Sequence, residues 1–211
     1  MAWNVDDVYE QILIEGQGEG DEKEGFRSFG VSPDRRFVVA GGLKGNVYYR
    51  DMSGKNDEEI RKVEVEEGKE VWSLAFGQDE GGSGEGGNVV YVGTAGAKVC
   101  EVNLSRGEVL RTFTGHTNYV YGLAVSPNGK TLISVSLDKT ARVWDLTKEA
   151  AEGGDVEPIK VIEKETMIIC VAYNADGTKF CIGGQGSLLH VYDSTSYERL
   201  AELKGHTDYV I

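Results

Sequence analysis

Gly115-His-Thr-Asn-Tyr-Val-Tyr-Gly-Leu-Ala-Val-Ser-Pro-Asn-Gly-Lys-Thr-Leu-Ile-Ser-Val-Ser-Leu-Asp-Lys-Thr-Ala-Arg-Val-Trp144-Asp145 is the stretch on which the fold turns. It holds three short alternating segments rich in Val, Ile, Leu and Tyr. Ser126-Pro127-Asn128-Gly129 separates the first from the second, and Ser136-Leu137-Asp138 separates the second from the third. Both separators are turn chemistry: proline presets φ, Asn and Asp bond their own backbone, and glycine supplies φ above zero. Alternating segments bounded in this way read as antiparallel strands joined by tight hairpins.

The unit recurs along the chain. Ser32-Pro33-Asp34-Arg35 and Asn174-Ala175-Asp176-Gly177 hold the same turn position as Ser126-Pro127-Asn128-Gly129. The closing position reads Arg50-Asp51, Val102-Asn103, Trp144-Asp145 and Tyr192-Asp193. Second strands are expected at Arg36 to Ala40, Val89 to Gly93, Thr131 to Val135 and Lys179 to Gly183. A Gly-His opening, a Trp-Asp ending and this period together resemble the WD40-repeat β-propeller family. The resemblance implies an all-β chain of about four four-stranded antiparallel blades, at approximately 25–65, 66–114, 115–164 and 165–204. It covers residues 25–211 and is fullest in the third blade.

Gly205-His206-Thr-Asp-Tyr-Val-Ile211 repeats Gly115-His116-Thr-Asn-Tyr-Val-Tyr121, so a partial fifth blade is expected at 205–211. Residues 1–24 form an N-terminal segment, with an outer strand expected at Gln11 to Ile14 followed by an acidic, Gly-rich linker. In this family such an outer strand commonly joins the last blade and closes the ring. Four blades and a fraction leave the ring incomplete. The expectation is therefore an N-terminal portion of a longer propeller, or a ring completed by a second copy or another subunit.

His116, Ser134, Asp138 and Trp144 contain a nucleophile, a base and an acid, which on paper suits a hydrolase triad. The resemblance implies a different role, a structural hydrogen-bond network. In it Asp138 accepts from His116, His116 meets a strand hydroxyl, and the hydroxyl leads to the Trp144 N–H. Ser134 is the hydroxyl expected in this role, with Ser136, of the same parity, as the alternative. The other blades depart from the set, with Arg50 and Lys44 in the first, Val102 and Gly96 in the second, and Tyr192 and Gly186 in the fourth. His190 aligns with Arg142 and reads as a solvated strand residue.

The family's common partner-binding face, carried over position by position, implies Tyr119, Tyr121 and Leu137 in the third blade and Glu70, Trp72 and Ala95 in the second. It implies Arg27 and Leu43 in the first blade, and Met167, Ile169 and Gln185 in the fourth. Aromatic anchors with isolated charges are what an interface centre contains. The competing reading of the first-strand residues is inward packing near the axis.

Composition fits this picture. Twenty-nine of 211 residues are glycine, as a chain with a turn every few residues requires. A net charge of −13 argues against nucleic acid, whose phosphates are met by clustered Lys and Arg, and favours basic partners over acidic ones. No apolar run reaches membrane-spanning length and no signal peptide is visible, so a cytoplasmic protein is expected, with the nucleus as an alternative. Much of the negative charge lies in Glu15 to Gly25, Gln78 to Asn88 and Lys148 to Glu157, which read as solvated loops or, alternatively, as docking segments.

Cys100, Cys170 and Cys181 lack metal-ligand spacing, no phosphate-binding loop is present, and no cofactor or metal is expected. Cys170 and Cys181 flank Asn174 to Gly177 symmetrically, which sets them directly opposite on neighbouring strands, as reduced thiols or as a cross-strand disulfide. The functional expectation is a non-catalytic scaffold or adaptor that presents one propeller face to a peptide or protein. The alternatives are an architectural subunit of a larger assembly and a propeller-type hydrolase.

Overall fold

The computed structural model describes residues 25–53, 59–77, 88–148 and 155–210. Their strands form four sheets of four. The first sheet holds β1 (Phe26–Val31), β2 (Phe37–Gly42), β3 (Asn46–Asp51) and β4 (Arg61–Glu64), and the second holds β5 (Val71–Phe76), β6 (Val89–Thr94), β7 (Val99–Asn103) and β8 (Glu108–Phe113). The third comprises β9 (Val120–Val125), β10 (Thr131–Ser136), β11 (Thr140–Asp145) and β12 (Lys160–Glu163). The fourth comprises β13 (Ile168–Tyr173), β14 (Lys179–Gly184), β15 (Leu188–Asp193) and β16 (Arg199–Lys204). Each sheet is an antiparallel meander in sequence order, and the first strands β1, β5, β9 and β13 pack on one another in turn. Among the described residues β13 does not return to β1, so the sheets form an open arc of propeller blades. The expected outer strand at 11–14 lies outside the described residues, as do most of the acidic inserts.

The turns follow from the residues read in the sequence. Between β1 and β2 the Phe37 N–H donates to Ser32 Oγ at 2.8 Å and the Arg36 N–H to Asp34 Oδ1 at 3.0 Å. Ser126 and Asn128 repeat this before β10, and Asn174 and Asp176 before β14. The Asp or Asn that ends each third strand caps the next turn. Asp51 accepts from Ser53 N–H, Asp145 from Thr147, Asp193 from Thr195, and Asn103 from Arg106, at 2.9 to 3.0 Å. That local bond is why the second letter of the closing pair persists where Trp does not.

Apolar cores lie between blades. Phe37, Val39, Val47 and Tyr49 meet Val71, Val90, Val92 and Val102 between the first and second sheets. Tyr91, Val99 and Phe113 meet Val120, Leu132 and Trp144 at the next joint, and Ile133, Val135, Ala141 and Val143 meet Ile168, Phe180, Ile182 and Tyr192 at the third. Toward the rim, Arg36 pairs with Asp51 at 2.8 Å and reaches Asn88 Oδ1 in the second sheet at 3.2 Å. Arg111 pairs with Glu101 and donates to the Leu146 carbonyl of the third sheet at 3.1 Å.

Every first strand begins with a bulge. Phe26 and Ser28 pair with Gly42 and Gly41, Val71 and Ser73 with Thr94 and Gly93, Val120 and Gly122 with Ser136 and Val135, and Ile168 and Cys170 with Gly184 and Gly183. Arg27, Trp72, Tyr121 and Ile169 are thus the extra residues, and a bulge re-aims the side chain it carries. The residue after each bulge serves the joint. Ser28 Oγ donates to the Val71 carbonyl at 3.1 Å, Ser73 Oγ to Val120 at 3.2 Å, and Cys170 Sγ to Val210 at 3.5 Å. Opposite each sits a glycine with no room for a methyl: a Cβ on Gly93 would lie 2.8 Å from Val120 Cγ1, and one on Gly183 would lie 3.0 Å from Val210 Cβ. The third blade reverses the sizes, pairing Gly122 with Val135, and loses the hydroxyl bridge.

The cysteine register differs from the sequence expectation. Cys181 pairs with Ala172 and Cys170 with Gly183, because the Asn174 N–H bonds the Lys179 carbonyl and centres the hairpin later than Asn174 to Gly177 alone suggests. Both thiols are free, and burial pushes that of Cys170 above its ordinary range.

Arg35 adopts φ 61° at the turn position where Gly129 and Gly177 adopt 69° and 71°. A left-handed backbone costs an L-residue about 1–2 kcal/mol, part of which glycine returns as unfolded-state entropy. Arg35→Gly is expected to stabilise the chain by about 0.5–1 kcal/mol in denaturant unfolding.

Candidate functional site

The polar set of the third blade is a continuous hydrogen-bond chain. Trp144 Nε1–H donates to Ser134 Oγ at 2.8 Å, and Ser134 Oγ lies 2.7 Å from His116 Nε2. His116 Nδ1 lies 2.7 Å from Asp138 Oδ2, which also accepts the Thr117 N–H at 3.0 Å. Thr140 donates to Asp138 Oδ1 through its backbone at 2.8 Å and its hydroxyl at 2.7 Å. Because the Asp138 carboxylate can only accept, the neutral His116 carries its proton on Nδ1, and the Ser134 hydroxyl, which takes the Trp144 N–H, donates to Nε2. Ser136, the alternative hydroxyl, donates instead to the Asn118 carbonyl at 3.0 Å. Ser134 and Trp144 are wholly buried, and the side chains of His116 and Asp138 are 1% and 5% exposed, so no substrate reaches them.

The other blades fill the corresponding space differently. Arg50 is 2% exposed in the place of Trp144, and Tyr192 stacks on Phe180 at 5.3 Å. In the second blade Gly96 stands where Asp138 would, two residues after Thr94, and a Cβ there would collide with the Glu66 carboxylate. Glu66 thereby supplies the carboxylate, accepting from Thr94 Oγ1 at 2.5 Å and pairing with Lys98 at 3.2 Å. Sequence reasoning missed Glu66, which comes from the loop before β5 rather than from the hairpin.

The partner-face residues fall on a repeated rim. The carbonyls of Gly25, Glu70, Tyr119 and Met167 accept from the N–H groups of Leu43, Ala95, Leu137 and Gln185 at 2.9, 2.8, 3.1 and 3.0 Å. Five of the chosen side chains meet across three blades. The Arg27 guanidinium lies 4.2 Å from the centre of the Trp72 ring, and Arg27 pairs with Glu70 at 3.4 Å. Trp72 packs against Tyr121 at 4.5 Å between ring centres and stacks on Tyr119 at 6.0 Å. Tyr119 is 40% exposed, while Trp72 and Tyr121 are half-buried. Leu137 joins the group only through its backbone bond to Tyr119, and Met167 instead lines a cavity on the fourth blade. The Trp72 indole N–H is shut off from solvent without a hydrogen-bond partner, a cost that the surrounding ring contacts must exceed.

Burial pushes His116 below the ordinary histidine value of about 6.5, and the Asp138 contact offsets this only in part. Burial opposes charge on Asp138 as well, yet its bonds from His116 and Thr140 hold the carboxyl well below the usual carboxylate range. Both groups bind protons more weakly folded than unfolded, so their contributions are complete at neutral pH and are lost toward acid. The His116 share falls below about pH 6.5 and the Asp138 share below about pH 4. Asp138→Ala is expected to cost about 1–3 kcal/mol at pH 7 in denaturant unfolding and distinctly less at pH 3. An equal cost at the two pH values would contradict this account.

The family model for the WD domain, G-beta repeat, matches residues 107–145. A nuclear distribution protein nudF 2 of Talaromyces marneffei is 56% identical over 45 residues, 21% of this chain and 10% of the relative. Nuclear distribution protein PAC1-1 of Uncinocarpus reesii is 39% identical over 74 residues, 34% of this chain and 15% of the relative. Nuclear distribution protein nudF of Aspergillus terreus is 51% identical over 45 residues, 21% of this chain. The aligned segments thus cover 10% to 15% of the length of the first two relatives. One repeat matches the WD domain in sequence, and four antiparallel sheets of a single topology surround it, an arrangement consistent with blades of a WD40-repeat β-propeller.

Proposed function

We propose that the chain is a non-catalytic interaction scaffold that holds a peptide or protein partner on the rim built by Arg27, Glu70, Trp72, Tyr119 and Tyr121. The observation that carries this reading is the stack of Arg27, Trp72 and the two tyrosines, contributed by three blades and aimed by three successive bulges. Rigid aromatic rings beside an arginine lose little side-chain entropy on binding and bury large area, which is the make-up of interface anchors. Leu137 and Met167 extend the surface on the third and fourth blades. The set resembling a hydrolase triad, His116, Ser134 and Asp138, is sealed from solvent and fully occupied with its own hydrogen bonds. The net charge of −13 favours a partner with basic residues, whose association slows as salt rises. The cytoplasm, or the nucleus, is the setting proposed for it.

Affinity capture with mass spectrometry, followed by binding measurements on the captured partner, tests the assignment. Tyr119→Ala is expected to weaken binding by about 2 kcal/mol, roughly thirtyfold, while leaving the melting temperature nearly unchanged. Trp72→Ala should weaken binding and also lower the melting temperature, since its ring supports both tyrosines. Unaltered affinity in both variants would place the interface elsewhere.

A further inference from the structure

The fourth blade lacks the polar network and holds a cavity near its place. Gly184 pairs with Ile168 as Ser136 pairs with Val120, so Lys164 occupies the position of His116, Gly186 that of Asp138 and Ile182 that of Ser134. A lysine, a glycine and an isoleucine cannot rebuild the chain of bonds. A cavity of about 670 Å³ opens there, lined by Lys164, Gly186, His190, Arg199 and Glu202 among others.

Its charged groups, Lys164, His190 and Arg199 facing Glu163, Glu165 and Glu202, are unevenly paired. Lys164 has no carboxylate within 4.0 Å among the described residues. Arg199, Lys204 and His190 share the single carboxylate of Glu202, at 3.5, 3.6 and 3.9 Å. His190, read from sequence as solvated, is only 12% exposed at its side chain, and its Nδ1 is shielded from water without a hydrogen-bond partner. Glu163 and Glu165 line the cavity from the segment leading to β13, while β14 contributes Ile182, Gly183 and Gly184, none of them titratable. Burial, and then the charge of the neighbouring cations, push His190 and Lys164 below their ordinary values.

We propose that this cavity binds an oxyanion, the phosphomonoester or carboxylate group of a ligand, between Lys164, His190 and Arg199. The anion would complete the donors that Glu202 satisfies only in part, as charge-assisted hydrogen bonds do elsewhere. The site is separate from the aromatic rim, so its fate does not depend on the scaffold reading. Binding stabilises the imidazolium of His190 and therefore takes up a proton, so affinity rises as pH falls through the histidine range.

The test is a titration of the chain with inorganic phosphate, sulfate and acetate, followed by the imidazole resonances of His190, with those of the sealed His116 as a folding control. His190 is expected to shift saturably while His116 does not. Sulfate, which keeps its charge over this range, should bind more tightly at pH 6 than at pH 7.5. Lys164→Gln and Arg199→Gln should each weaken binding roughly tenfold, and Glu202→Gln should tighten it by removing the competing carboxylate. Phosphate outcompeting acetate identifies a phosphomonoester group, and the reverse a carboxylate. A non-saturating His190 shift, an unchanged affinity in Lys164→Gln, or weaker binding in Glu202→Gln with His116 undisturbed would overturn the proposal.

Discussion

The joint between neighbouring blades is the constraint on which the rest depends. A hydroxyl or thiol just after one bulge donates to the carbonyl just before the next, as Ser28 does to Val71 and Ser73 to Val120. The opposing glycines, Gly41 and Gly93, let the following blade approach to contact. Large and small residues must therefore sit on fixed strands, since an interior packed at near-crystal density has no slack for a misplaced methyl. The same backbone segment carries the interface row, because Trp72 and Tyr121 directly follow the bridged Val71 and Val120. The joint thus sets both the stacking of the blades and the aim of the aromatic rim.

Inside each blade the structure must fill one further space, and it does so in four ways. The third blade uses a one-directional chain of donors ending in a carboxylate, with every member satisfied, which is the condition for a buried polar network to rigidify its surroundings. The second borrows Glu66 from the adjoining loop, and the first buries Arg50. In the fourth, Tyr192 stacks on Phe180 and the polar positions are left open toward Lys164 and His190. A residue pattern that fixes structure in one repeat therefore leaves room for ligand chemistry in another.

Much of this was legible in the chain. Turn residues and closing Asp or Asn act within a few positions of themselves, so Ser32, Asn128, Asp145 and Asp193 announce their hairpins locally. The polar chain of the third blade was legible because Gly-His, Ser-x-Asp and Trp-Asp occur together there. Three features were not. The bulges arise from register between strands, and nothing in Phe26-Arg27-Ser28 or Val71-Trp72-Ser73 marks the middle residue as extra. Glu66 works across a joint that no local pattern encodes. Cys170 and Cys181 look symmetric about their turn, yet the hairpin closes between Asn174 and Lys179 and moves them out of register.

The third joint allows the size rule to be tested without touching the rim. A Cβ on Gly122 would lie 2.9 Å from both Val135 Cγ2 and the Ile169 carbonyl, so Gly122→Ser alone is expected to destabilise the chain. Val135→Gly alone opens a void and should also destabilise it. The double variant Gly122→Ser with Val135→Gly recreates the pairing of Ser73 with Gly93 and removes the valine side of the clash, leaving the contact with the Ile169 carbonyl. Denaturant unfolding of the four proteins forms a double-mutant cycle. The account predicts that the double variant is more stable than the sum of the single losses by about 1 kcal/mol or more. Strictly additive losses would contradict it.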